Sequence, residues 1–409
     1  MFASLSGYNL GARAQQLYEC LSLRKGKALE PYFEQYLHNG SNECVHELGA
    51  SMTQPNAALG NHPLCPSDEQ QKIRLTTLLS AIESAKTCSD SELAAAATHP
   101  SARTIAIEPV PEPNRTLSLT MDDGAVIVVR QHGKVDGPRL MLSHGNGLAI
   151  DGYLPFWRPL CDRYEVVLFD FRNHGRNPLH GASGHDIPTF THDMENVWRA
   201  VQENFGAKKT AGVFHSLSAV TAILHTLEMG PRWDALVLFD PPIYPRDGHL
   251  LQPLQEADKN DLTARARRRT QSYNEPSDFA RQLASVPVFG KWVPEAYEAM
   301  ARATLRYDDA SGQWVLACPR ELEARTFETN DDPTLWPRMI GFPVPVKLIC
   351  ADPDLEDARA PALIGQAMAA ELSLEYEAIP HTTHFLQIER PAECIRALES
   401  FLAKYGLNA

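Results

Sequence analysis

From about residue 110 onward, short apolar runs alternate with stretches of helical periodicity, and this alternation limits the possible folds more than any other feature. The runs cover residues 117–121, 125–130, 139–143, 166–169, 210–214, 235–239, 346–350 and 374–379. Asp122-Asp123-Gly124 separates the first two and signals a hairpin turn. Residues 191–205 place Met194, Val197, Trp198 and Val201 at helical spacing, and residues 391–404 begin with a proline and carry Ile395, Leu398, Phe401 and Leu402. Strands alternating with helices predict an α/β fold whose sheet is mostly parallel and covered by helices on both faces.

Two segments depart from that texture. Residues 1–110 read as a mostly helical N-terminal extension, with helical spacing over 12–23, 29–37 and 70–84 and a Pro-rich linker at 108–114. Residues 243–336 hold no strand-like run of matching quality and read as an inserted helical lid. The expected division is therefore 1–110, 111–242, 243–336 and 337–409. Apolar runs are too short for a membrane-spanning helix. A net charge of −13 disfavours a nucleic-acid partner. The eight cysteines form no Cys-x-x-Cys pair, and the first twenty residues lack the order of a secretory leader, so reduced thiols and a cytoplasmic location are expected.

Chemistry concentrates at the ends of the apolar runs. Phe214-His215-Ser216-Leu217-Ser218-Ala219 takes the chain from a strand into a helix, and a serine on so sharp a turn is held out toward a cleft. Such a turn calls for small residues two before and two after the serine; Ser218 meets this and Phe214 does not. A base is available from Pro380-His381-Thr382-Thr383-His384, where either histidine lies after the last strand. For the orienting carboxylate the sequence offers Asp354 first, then Asp352, and also Asp240 after the run 235–239. Ser143-His144-Gly145-Asn146-Gly147 follows another strand, and the Asn146 and Leu217 amides are expected to form an oxyanion hole.

The ordered set resembles the α/β-hydrolase superfamily. It comprises Ser143–Gly147, then Phe169-Asp170-Phe171-Arg172-Asn173-His174-Gly175, the Ser216 turn, Phe239-Asp240-Pro241-Pro242, Ala351-Asp352-Pro353-Asp354 and His384. The resemblance implies an eight-stranded, mostly parallel sheet, a lid after the sixth strand similar to those of esterases, lipases and acyl-CoA thioesterases, and no cofactor or metal. It implies a serine hydrolase of carboxylic ester or thioester bonds, with Ser216 as nucleophile, His384 as base and Asp354 as its partner. The alternatives are a carbon–carbon bond hydrolase of the same fold and a non-catalytic binding protein on that scaffold. Arg265, Arg267, Arg268 and Arg269 suit either a phosphate-bearing substrate or a solvated helix face. The aromatics Tyr273, Phe279, Phe289, Trp292 and Tyr297 suit a pocket for a small acyl substrate or plain packing. The N-terminal extension is expected to serve as a homodimer contact or as a cover over the substrate entrance.

Overall fold

A strand made only of apolar residues has no face to give to water, so it must be covered on both sides. A computed structural model of the chain, describing residues 109–355 and 358–408, meets that requirement. In chain order the strands are β1 (Arg115–Thr120), β2 (Val126–Gly133), β3 (Arg139–Ser143), β4 (Glu165–Phe169), β5 (Thr210–His215), β6 (Ala235–Phe239), β7 (Ser272–Tyr273), β8 (Leu305–Asp308), β9 (Gln313–Leu316), β10 (Val346–Cys350) and β11 (Glu375–Ala378). The helices are α1 (Leu154–Trp157), α2 (Ile187–Asn204), α3 (Leu217–Met229), α4 (Gln252–Arg268), α5 (Pro276–Ser285), α6 (Pro294–Thr304), α7 (Arg320–Glu328), α8 (Leu335–Arg338), α9 (Ala360–Leu372), α10 (Leu386–Glu389) and α11 (Pro391–Leu402). The helical readings over 12–23, 29–37 and 70–84, and with them the N-terminal extension, lie outside the described residues.

Eight strands form one sheet in the order β1-β2-β4-β3-β5-β6-β10-β11. The β1–β2 and β2–β4 pairs are antiparallel and every other pair is parallel. The pleat sends successive side chains to opposite faces. Leu140, Leu142, Val166, Leu168, Val237 and Phe239 accordingly enter one core with α1 and α11. Met141, Val167, Phe214, Leu236 and Leu238 enter the other with α2 and α3. The central strands β3 to β6 are buried along their whole length. The edge strands are part-exposed, and β11 carries Glu375 and Glu377, charges that discourage pairing with another sheet.

The order reverses at β3: the chain runs from β3 to β4 on one side, while β5 flanks it on the other. A crevice opens beyond the carboxyl ends of strands at such a reversal. The loops after β3, β5, β6 and β10 all leave from that end, as does the loop after β11.

The segment between β6 and β10, expected to be a helical lid, is not wholly helical. Besides α4 to α8 it contains a three-stranded antiparallel sheet ordered β7-β9-β8. Its strands are only two to four residues long, below the length at which alternation is visible. The Asp308–Gly312 turn was the available signal: Gly312 has φ +68° and its N–H donates to Asp308 O at 2.8 Å. Among the described residues no helix is long and apolar enough to cross a membrane.

Candidate active site

Ser216 stands between β5 and α3 with φ +54° and ψ −117°, a backbone conformation that costs a non-glycine residue roughly 1–3 kcal/mol. Local bonds hold it there. Its N–H donates to Phe239 O at 2.9 Å, and its own carbonyl accepts from Ala219 and Val220 of the first turn of α3. Ser218, where a small residue was required, acts as a polar staple. Its Oγ accepts from His215 N–H at 2.9 Å and also faces the Ser143 carbonyl. Phe214 meets the size limit differently. Its ring packs edge-on against Phe169 and Trp233, and a side chain at residue 212 would lie 2.5 Å from it. The need for glycine has thus moved two residues upstream, to Gly212.

His384 Nε2 lies 2.9 Å from Ser216 Oγ, and His384 Nδ1 lies 2.6 Å from Asp240 Oδ2. Asp240 is fully buried, and its Oδ1 accepts from Ala351 N–H at 3.1 Å. This geometry corrects the expectation for the carboxylate. Asp354 is exposed, and its N–H donates to Asp352 Oδ1. Asp352 in turn accepts from His381 N–H at 2.7 Å, so its carboxylate organises the histidine loop rather than the imidazole. His381 is exposed and adopts φ +62°, and it is His384, not His381, whose ring reaches Ser216. The signal for Asp240 was strand adjacency: His215 of β5 pairs with Phe239 of β6, so the residues that follow them are neighbours.

Sequence reasoning did not single out Tyr153 or His215, yet these join the loops. Gly145 N–H donates to Tyr153 Oη at 3.2 Å, and the Tyr153 hydroxyl lies 2.7 Å from His215 Nδ1. His215 Nε2 lies 2.8 Å from the His384 carbonyl, which can only accept. His215 therefore carries its proton on Nε2 and accepts the tyrosine proton at Nδ1. The loop after β3 is tied to the one after β4: His174 Nε2 accepts from Gly147 N–H and His144 Nε2 accepts from Phe171 N–H. Among the described residues, the Asn146 and Leu217 N–H groups have no partner; the latter opens α3, where no earlier helical carbonyl exists.

Burial keeps these histidines neutral, together with His132 on β2 and His185 just before α2. It pulls His132 and His144 down to about 4 and His185 to about 3, and His174 and His215 lie well below their usual value. A lowered folded-state pKa means that the unfolded chain binds more protons from about pH 6.5 downward. The stability these rings contribute is complete above pH 6.5 and declines as pH falls toward 4. Asp170, raised to about 6 mainly by burial, acts in the opposite sense between pH 6 and its unfolded value. With several histidines against it, the net expectation is a lower urea midpoint at pH 4.5 than at pH 7 with an unchanged slope. A midpoint that holds steady between those values would show the rings protonated in the fold.

A cavity of about 370 Å³ opens onto Ser216 and His384. Phe385 beside His384 packs against Phe289 and Trp292, and Tyr273 and Phe279 stack along the same wall. The arginine run is largely neutralised: Arg265 pairs with Asp261, Arg267 with Glu321 and Glu328, and Arg269 with Glu323. That pattern speaks against a phosphate cradle. Among the described residues no group of three His, Cys, Asp or Glu side chains could hold a metal ion.

The model of the alpha/beta hydrolase family matches residues 140–397, well over half of the chain. The chain belongs to the alpha/beta hydrolase family. Solved structures of similar fold include an E-2-(acetamidomethylene)succinate hydrolase, at 18% identity and TM-score 0.58 over 71% of this chain and 100% of that one. Another is the thioesterase domain from the curacin biosynthetic pathway, at 15% identity and TM-score 0.54 over 69% and 98% of the two chains. A third is a thermophilic esterase from Thermogutta terrifontis, at 18% identity and TM-score 0.52 over 71% and 99%. At such identities the likeness concerns the alpha/beta hydrolase fold, not the substrate.

Proposed function

We propose that the protein is a serine hydrolase of carboxylic ester or thioester bonds that works through an acyl-enzyme. The observation that carries this reading is the continuous chain of hydrogen bonds Ser216–His384–Asp240 beside two unpartnered amides. Ser216 Oγ attacks the acyl carbonyl while its proton passes to His384 Nε2. Asp240 holds Nδ1–H and stabilises the imidazolium that results. The carbonyl oxygen, now anionic, accepts from the Asn146 and Leu217 N–H groups. Collapse breaks the bond to the alcohol or thiol, which leaves with the proton from His384. Water then repeats the sequence and frees the acid, restoring the serine.

The insertion supports an apolar acyl portion, since its Tyr273, Phe279, Leu283, Phe289, Trp292 and Met300 line the cavity. In this reading it acts as a lid. A panel of p-nitrophenyl esters of increasing chain length, run beside the matching acyl-CoAs, tests the proposal. Hydrolysis of at least one series, with kcat/KM rising and then falling as the chain outgrows the cavity, is the expected result. Inertness to both series, with turnover only of vinylogous diketones, would replace it with carbon–carbon hydrolysis.

A further inference from the structure

The loop that carries Asn146 is gripped from two sides. From the sheet side, His174 takes the Gly147 N–H at 3.2 Å. From the insertion, Asn146 Nδ2 donates to the Glu323 carbonyl of α7 at 2.8 Å. Arg269, just past the end of α4, places Nη1 2.5 Å from Glu323 Oε2 and 3.4 Å from the Gly147 carbonyl. The fit leaves no slack: Gly147 has φ +68°, and a Cβ there would lie 2.4 Å from the Glu323 carboxylate carbon. Arg269 is set in turn over the Phe279 ring and receives Arg320 at its own carbonyl.

Stability alone gives little reason for this pair. Its side chains are 24% and 9% exposed, and removing two charges from water roughly cancels their attraction. A second pair, Arg267–Glu328 at 2.7 Å, already joins α4 to α7 at the surface. What sets the Arg269–Glu323 pair apart is its contact with residues 146–147.

We propose that Arg269 and Glu323 are positioning residues, through which the insertion holds the Asn146 N–H where the oxyanion forms. The inference rests on the ester or thioester hydrolase reading given above. It makes the insertion part of the catalytic apparatus as well as a wall of the cavity. A donor displaced by a fraction of an ångström still admits the substrate but meets the tetrahedral intermediate poorly.

The test measures kcat and KM on the preferred ester for Glu323→Ala, Arg269→Met and the double variant, with Arg267→Ala as the control. We expect kcat to fall about 10- to 100-fold with KM within about threefold. Affinity for an aryl boronic acid, which mimics the tetrahedral adduct, should fall in parallel with kcat/KM. The double variant should be no worse than the worse single one, because the pair acts as a unit. Glu323→Gln keeps shape and an acceptor for Arg269, and should recover to within about fivefold of the parent. Arg267→Ala should keep its kcat. If Glu323→Ala does not fold, Arg269→Met and Glu323→Gln carry the comparison. Unchanged kcat in Arg269→Met, or an equal loss in Arg267→Ala, overturns the inference. Parent protein that neither hydrolyses the ester and thioester panel nor reacts with a fluorophosphonate overturns the functional reading beneath it instead.

Discussion

Ser216→Ala should abolish labelling by a fluorophosphonate probe and lower ester turnover by about 10⁶-fold, the scale on which a serine hydrolase loses its nucleophile. The reasoning is atomic. The probe's phosphorus forms its bond to an oxygen deprotonated by an adjacent imidazole, and Ser216 Oγ is 2.9 Å from His384 Nε2. An alanine methyl group cannot form that bond. The variant should fold normally, because the turn is held by the Ser216 amide, by its carbonyl and by Ser218 Oγ, none of which changes. Retained circular dichroism and an unchanged thermal midpoint would check this. Residual labelling equal to that of the parent would place the nucleophile elsewhere and remove the mechanism. A loss of labelling with esterase activity intact would mean that the measured esterase belongs to another protein in the preparation.

Much of the fold was legible because the central strands of the sheet are short, mostly apolar runs. The runs at 139–143, 235–239 and 346–350 coincide with β3, β6 and β10. Central strands of a parallel sheet are buried on both faces, so their sequence is set by burial alone and reads plainly. The small sheet in the insertion obeys no such rule. Tyr307 on β8 is over half exposed and packs edge-on with Trp314, a cross-strand contact that single-strand alternation does not encode. Site residues divide in the same way. Ser216 and His384 sit at turns with strong local signatures. Tyr153, His215, Arg269 and Glu323 meet partners 8 to 177 residues away, as the Gly145–Tyr153 and Asn146–Glu323 bonds show. No local pattern marks such pairings; they exist only once the sheet has brought the loops together. Phe214 is the instructive departure, since the space it takes from the turn is returned by Gly212 behind it.

The choice among carboxylates yields the second large effect. Asp240→Asn should reduce kcat by about 10⁴-fold, the loss seen when a triad aspartate becomes asparagine, while Asp354→Asn should stay within about twofold of the parent. Ala351 N–H donates to Asp240 Oδ1. In the asparagine variant the single remaining oxygen turns to that amide, because an unpaired buried donor is costly. The NH₂ group then faces His384 Nδ1, 2.6 Å from the present Oδ2. Facing a donor, Nδ1 must accept, and the ring proton moves to Nε2. A ring protonated at Nε2 cannot take the proton of Ser216, so the base is lost although every atom stays nearly in place. Substrate binding, and hence KM, should change little. Asp354 is exposed and contributes a backbone N–H to Asp352, which asparagine retains. Asp352→Asn falls between the two, since its carboxylate holds the His381 amide and so shapes the loop that presents His384. Reversal of the order, with Asp354→Asn inactive and Asp240→Asn active, would show that the histidine is oriented from β10 rather than from β6.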